Sequence, residues 1–287
     1  MLELVLCTLI WGAAFIAQKA GSEHFGPFTV ICGREFLAAA FLLCCAVRRR
    51  DGWSRTALVG GTLSGLFIFA GELCQQIGVT RTTPGVAAFL TTNYVLLVPL
   101  FGSVLGKRPG WGVWGGAVLA LAGTYFLCFP TSSLIPDPSS LNPGSAWILL
   151  CAVFFALQIL VVERFVRDCD PLKFSLVQVT AAGLVALPFV FLPGELSRMS
   201  WSGTVHGLPS LLFLGIAASG ISYLLQNRGQ VKVSAALAAI ILSMEGVFAV
   251  LFGWLLLGDM LSLRQLAGCA LVLTAVILSQ LLSIRRP

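Results

Sequence analysis

Charge is what this sequence has least of. Its 287 residues include 18 Lys and Arg and 12 Asp and Glu, 10% in all, against 57% hydrophobic residues. A soluble domain usually carries about 25% charged residues. So few charges cannot cover a soluble surface, which excludes ordinary soluble enzymes, nucleic-acid binders and disordered chains. The mean hydropathy of +0.94 points to lipid as the main solvent. Histidine is nearly absent, with two residues, and the nine Cys form no CxxC, so no metal site is expected. The sequence has no Walker A, nucleophile elbow or HExxH motif, and Gly110/Gly112 lack the strand context of a nucleotide loop. These absences predict no enzyme, no cofactor and no ATP motor. The formal charge of +6 does not indicate nucleic acid, because the basic residues sit in short loops between apolar runs.

Long apolar runs take the place of charge. A helix of about 20 residues crosses the hydrocarbon core. Ten such runs are predicted: Leu2–Gly21, Phe28–Val47, Thr56–Ile77, Gly85–Leu105, Gly110–Phe129, Ser145–Val162, Leu172–Leu192, Leu208–Asn227, Ser234–Leu257 and Leu263–Ser283. The first has no basic flank and carries Glu3, so it reads as a membrane helix that stays and not as a cleaved signal. The longest loop, Pro130–Gly144, reads as a linker between residues 1–129 and 145–287, each holding five spans. Cys7, Cys32, Cys74, Cys128, Cys151 and Cys269 fall inside runs and read as small buried hydrophobes. Trp53, Trp111, Trp147 and Trp201 fall near run ends, as interfacial anchors do. Gly60, Gly61 and Gly65, and Gly112, Gly115 and Gly116, give small faces for close packing.

Loop charge sets an orientation. With the N-terminus inside, the inner loops hold 13 basic residues, among them Arg48, Arg49, Arg50, Lys107, Arg108, Arg285 and Arg286. The outer ends hold four: Lys19, Arg81, Arg198 and Arg264. Both termini are therefore expected in the cytoplasm.

The halves resemble each other. Gly78–Leu105 aligns with Gly229–Leu256, sharing Phe101-Gly102 with Phe252-Gly253 and a following Leu-Gly-charge, Lys107 in one half and Asp259 in the other. Pro27 pairs with Pro171, and Gln75-Gln76 with Gln226-Asn227. Five spans per repeat is odd, so the second copy enters the bilayer upside down. Inverted repeats are a route to alternating access around a midplane site. The expected fold is an all-α integral membrane protein of ten transmembrane helices in two inverted five-helix repeats.

Polar groups within the spans nominate the site, since a charge at the bilayer centre costs roughly 2.5–3.5 kcal/mol on insertion scales. Glu72, Gln75 and Gln76 lie at i, i+3 and i+4 and share one helix face. Glu245, with Ser243 close by, is midspan; it is a candidate for solute or proton binding, or for a structural hydrogen bond. Arg34 and Glu35 are adjacent, so they are expected to find different partners, Glu72 or Glu245 among them. Thr91, Thr92, Asn93 and Tyr94 interrupt an apolar run; Trp11, Gln158, Tyr223 and Gln226 are further lining candidates. Lys19 and Glu163 occupy matching repeat positions and read as boundary charges.

The pattern resembles the drug/metabolite transporter superfamily and, within it, the EamA-type family. The residues that carry this are Trp11-Gly12-Ala13-Ala14-Phe15, Arg34, Ser243-Met244-Glu245-Gly246-Val247-Phe248-Ala249 and Gly253-Trp254-Leu255-Leu256-Leu257-Gly258-Asp259. Departures are Glu35 where the family has Phe after the arginine, Gly246 where it has Pro, and Lys107 where it has an acid. The resemblance implies an inner-membrane secondary transporter, commonly an exporter, of small metabolites such as amino acids, with membrane lipid and a small-molecule substrate as partners. Proton coupling and the choice between monomer and homodimer stay open, and the rival reading is a non-transporting scaffold or accessory subunit.

Overall fold

The computed structural model describes residues 1–47, 53–82, 84–128, 143–257 and 262–284. Most of the expected linker, Arg48–Arg50, Gly258–Asp259 and Arg285–Arg286 lie outside the described residues. The described chain is all helix: α1 (Leu2–Ser22), α2 (Pro27–Ala46), α3 (Arg55–Val79), α4 (Pro84–Thr91), α5 (Tyr94–Val104), α6 (Trp111–Cys128), α7 (Pro143–Phe165), α8 (Pro171–Ala186), α9 (Pro193–Leu196), α10 (Trp201–Leu212), α11 (Ser222–Gln230), α12 (Ala235–Leu242), α13 (Glu245–Leu257) and α14 (Leu263–Ile284). A nine-residue π-helix, Phe213–Ile221, joins α10 to α11. Among the described residues, eight helical runs are long and apolar enough to cross a membrane, and the Leu263–Ser279 stretch of α14 is a shorter apolar helix. The charge-free helix α6 packs along α14. The protein is a multi-pass membrane bundle, with α3 against α7 and α8, α2 against α8, and α1 against α11 and α13.

The helix starts follow local chemistry. Ser54 accepts a hydrogen bond from the Ala57 amide at 3.0 Å, and Asp170, followed by Pro171, accepts from the Leu172 amide at 2.7 Å. Helix α2 begins behind Gly26, which has no side chain to offer. Its cap comes instead from Glu195 on α9. That carboxylate accepts from the Thr29 amide at 2.9 Å and the Thr29 hydroxyl at 2.7 Å, while buried. Glu195→Ala is expected to lower stability by about 1–2 kcal/mol, because it strips the Thr29 amide of its acceptor. Chemical unfolding in detergent measures this; an unchanged midpoint would discard the cap.

Two expected spans are not continuous. The run Gly85–Leu105 divides into α4 and α5, and Ser234–Leu257 into α12 and α13. Hydroxyl and amide side chains turn back onto the preceding carbonyls: Thr92 onto Ala88 at 2.8 Å, Asn93 onto Leu90 at 3.0 Å, Ser243 onto Ile240 at 2.6 Å. Such local bonds compete with the helix ladder and close off its last turn.

Packing agrees with the small-residue expectation in part. Gly60 seats Phe165 and Phe174, Gly65 seats Ala181, and Gly116 faces Ser279, but Gly115 faces open space. Cys7, Cys32, Cys74 and Cys151 are buried free thiols, whereas Cys269 is half-buried. Trp53, Trp111 and Trp201 are exposed at or beside helix starts, as anchors should be. After α5 the chain turns at Gly106, whose φ of +84° an L side chain rarely adopts.

Candidate functional site

The breaks between α4 and α5 and between α12 and α13 put Tyr94 and Glu245 at the first residues of new helices. The Tyr94 hydroxyl donates to Glu245 Oε1 at 3.2 Å. A carboxylate at a helix N-terminus also meets the positive end of the helix dipole. Glu245 is thus held by a phenol and a helix end, and no ion pair to it is found among the described residues.

Arg34 on α2 organises a second cluster. Its Nη2 lies 3.1 Å from Glu72 Oε1 and its Nε 3.4 Å from Glu35 Oε1. The Nε–H also donates to Ser219 Oγ at 2.9 Å, and the Ser219 hydroxyl donates to Glu35 Oε1 at 2.5 Å. The Tyr223 hydroxyl donates to Glu72 Oε1 at 2.9 Å. All of these side chains are buried. Arg34 and Glu35 therefore share one cluster, against the expectation of separate partners. The reason is the π-helix, which brings Ser219 between them from the opposite wall. The wider turn also presents the Ala218 carbonyl to the Trp11 indole, which donates to it at 2.9 Å.

Amide pairs close the walls. Gln18 Nε2 donates to Gln75 Oε1 at 3.0 Å, and Gln158 and Gln226 donate to each other at 3.3 and 3.1 Å.

Nine expected residues line one cavity of about 40 Å³: Trp11, Arg34, Glu72, Gln75, Tyr94, Gln158, Tyr223, Gln226 and Glu245. Three are placed elsewhere. Gln76 donates to the Gln18 carbonyl at 3.3 Å, and Thr92 and Asn93 are spent on the helix break. Gln18, Phe15 and Phe155 also line the cavity and were not among the expected residues. Gln18 carried a usable signal, an amide inside an apolar run. Ser219 carried none, because a small hydroxyl is ordinary in a membrane helix.

A second cavity of about 500 Å³ lies one turn further along α5 and α7, lined by Val98, Pro99, Leu160, Glu163, Lys107 and Arg108 among others. Lys107 pairs with Glu163 there. Glu163 is thus the partner of a loop lysine, while Lys19 is exposed at the end of α1.

The sequence profile of the EamA-like transporter family matches this chain twice, over residues 1–129 and 142–281. The chain belongs to the EamA-like transporter family. Among its relatives in that family is an uncharacterized transporter of Archaeoglobus fulgidus, 32% identical over 285 residues, covering 98% of this chain and 85% of the relative. Another is the uncharacterized transporter YoaV of Bacillus subtilis, 23% identical over 294 residues, covering 100% and 98%. A crystallised protein superposes with a TM-score of 0.77 at 21% identity, covering 99% of this chain and 97% of that one, which shows a shared fold. No group of three or more metal-ligating side chains occurs among the described residues.

Proposed function

We propose that this chain is a secondary transporter that moves small polar metabolites, amino acids among them, by alternating access. In this reading it is an exporter in the inner membrane with both termini cytoplasmic. It has ten spans in two inverted five-helix repeats, residues 1–129 and 145–287, joined by residues 130–144.

One observation carries the reading. Tyr223 and Glu72 are 151 residues apart, and so are Glu245 and Tyr94. The same offset separates Gln75 from Gln226 and Phe101 from Phe252. Each Tyr–Glu bridge therefore joins two positions that the repeat makes equivalent. A residue that touches its own repeat mate lies beside the axis relating the halves, and in an inverted repeat that axis runs near the bilayer midplane. The packing supports the same exchange. Swapping the first five spans for the last five turns α3 on α7 into α11 on α1, and α5 on α7 into α13 on α1, and all four contacts are present.

Flux in proteoliposomes tests it. Labelled amino acids, nucleosides, sugars and amines are offered with and without an imposed pH gradient. Saturable, protein-dependent movement of one class is expected. If the carboxylates carry the coupling proton, the Glu72→Gln/Glu245→Gln double variant loses its response to the gradient; a retained response removes these residues from coupling. Inserted, folded protein that moves nothing would favour the scaffold reading.

A further inference from the structure

Resting on the transporter reading of the central cavity, we propose that, among the small metabolites it takes, the protein prefers a small organic amine without a carboxylate over the amino acid of the same side chain. The argument is an inventory of donors and acceptors. Among the described residues lining the cavity, the buried side-chain atoms that no amide, hydroxyl or guanidinium donates to are Gln18 Oε1 and Glu72 Oε2, Glu72 lying within hydrogen-bonding reach of the Glu35 carboxyl. Both are acceptors, on residues at most 5% exposed. A buried acceptor without a donor is costly, so the complementary ligand is one that donates several hydrogen bonds and accepts none. An ammonium group has three donors and no acceptor.

The other half of an amino acid finds no such welcome. Its carboxylate needs a cation, and Arg34 is the one Lys or Arg lining the cavity among the described residues. Arg34 already holds Glu72 at 3.1 Å and Glu35 at 3.4 Å. A solute carboxylate there would be the third around one guanidinium, and like charges at such separations oppose joint ionisation. Near Glu245, the recorded side-chain partner is the Tyr94 hydroxyl, already turned toward it. The remaining wall suits an amine with an apolar body. Trp11 and Tyr223 meet edge to face at 5.6 Å and line the cavity with Phe15 and Phe155. Aromatic faces attract a cation and cover its hydrocarbon. At about 40 Å³ the cavity has room for an ammonium-sized head, so the helices must part to admit a body.

The test uses the purified full-length chain and matched probes: phenethylamine, L-phenylalanine and 3-phenylpropanoate, with 3-methylbutylamine and L-leucine as an aliphatic pair. Binding is read by ligand-induced melting shifts and tryptophan fluorescence, and movement by proteoliposome flux. Each amine should bind at least about tenfold more tightly than its parent amino acid, and 3-phenylpropanoate should not bind measurably. Glu72→Gln keeps an acceptor for Tyr223 and should weaken the amine by about tenfold or more. Should that variant unfold, Gln18→Leu removes the other free acceptor, and a loss of amine affinity is expected there too. Equal or tighter binding of the amino acids overturns the amine assignment and leaves the transporter reading standing. Failure of folded protein to bind either amine also overturns it. Tight amine binding with no flux keeps the assignment and rejects transport.

Discussion

Replacing Arg34 with Met is expected to cost about 3–5 kcal/mol of stability, the usual penalty for breaking a buried ion pair from one side. The side chain is 3% exposed and stands between Glu35 and Glu72, which are 0% and 3% exposed. Methionine fills much of the volume but leaves two carboxylates facing each other without a cation. Glu35 and Glu72 lie within hydrogen-bonding reach of each other, and no amide, hydroxyl or guanidinium reaches Glu35 Oε2 or Glu72 Oε2, so neither acid has spare support. The double variant Arg34→Met/Glu35→Gln should recover part of the loss, because one negative charge goes with the positive one. Equilibrium unfolding in detergent, run as a double-mutant cycle, measures both values. A single-variant loss below about 1 kcal/mol, the range of surface pairs, would mean that the cluster is not a buried network.

Gly12→Val should damage the fold by about 3 kcal/mol or more, at the upper end of overpacking costs. A Cβ at Gly12 would lie 2.6 Å from Phe248 Cβ and 2.7 Å from the Ala249 amide nitrogen. Backbone atoms of α13 cannot swing aside as a side-chain tip would. Helices α1 and α13 must therefore separate, and Trp11, one residue earlier, moves with α1. Its indole bond to the Ala218 carbonyl and the aromatic wall beside Tyr223 are lost together. Melting temperature and monodispersity on size exclusion report the packing, and loss of solute-induced stabilisation reports the site. Gly115→Ala is the control. Nothing lies within 4 Å of a Cβ there, so the substitution should be neutral or gain up to about 1 kcal/mol of helix propensity.

The fold was legible where one physical rule dominated. Apolar runs near 20 residues located the helices, because water-free lipid forces each backbone to satisfy itself. Hydropathy does not see a broken helix, which is why Thr92-Asn93 and Ser243-Met244 passed as the middles of single spans. Their turns depend on which carbonyl a short polar side chain chooses, and both choices suit the sequence equally well. The site was legible through its cost: Arg34, Glu72, Glu245, Gln75 and Gln226 stood out as polar groups in apolar runs. Who pairs with whom was not, because Arg34 and Glu35 pair directly and also share Ser219, some 185 positions away on a π-helix with no sequence mark of its own. Glu195 escaped notice for a similar reason. An acid in a short loop looks solvated until the fold lays the start of α2 against it.

The two Tyr–Glu bridges have a consequence for how such a chain arises. When two identical subunits meet about a twofold axis, every residue beside that axis faces its own copy. A glutamate there would face a glutamate, and two carboxylates so close resist ionising together. A phenol would face a phenol and leave no acid at all. Joining both halves in one gene lifts that restriction, since each half drifts separately. Position 72 keeps the acid while position 223 takes the phenol, and 245 keeps the acid opposite the phenol at 94. In the proposed inverted-repeat arrangement, a single fused chain can set an acid against a phenol on the axis, a mixed contact that a symmetric homodimer has no means of encoding.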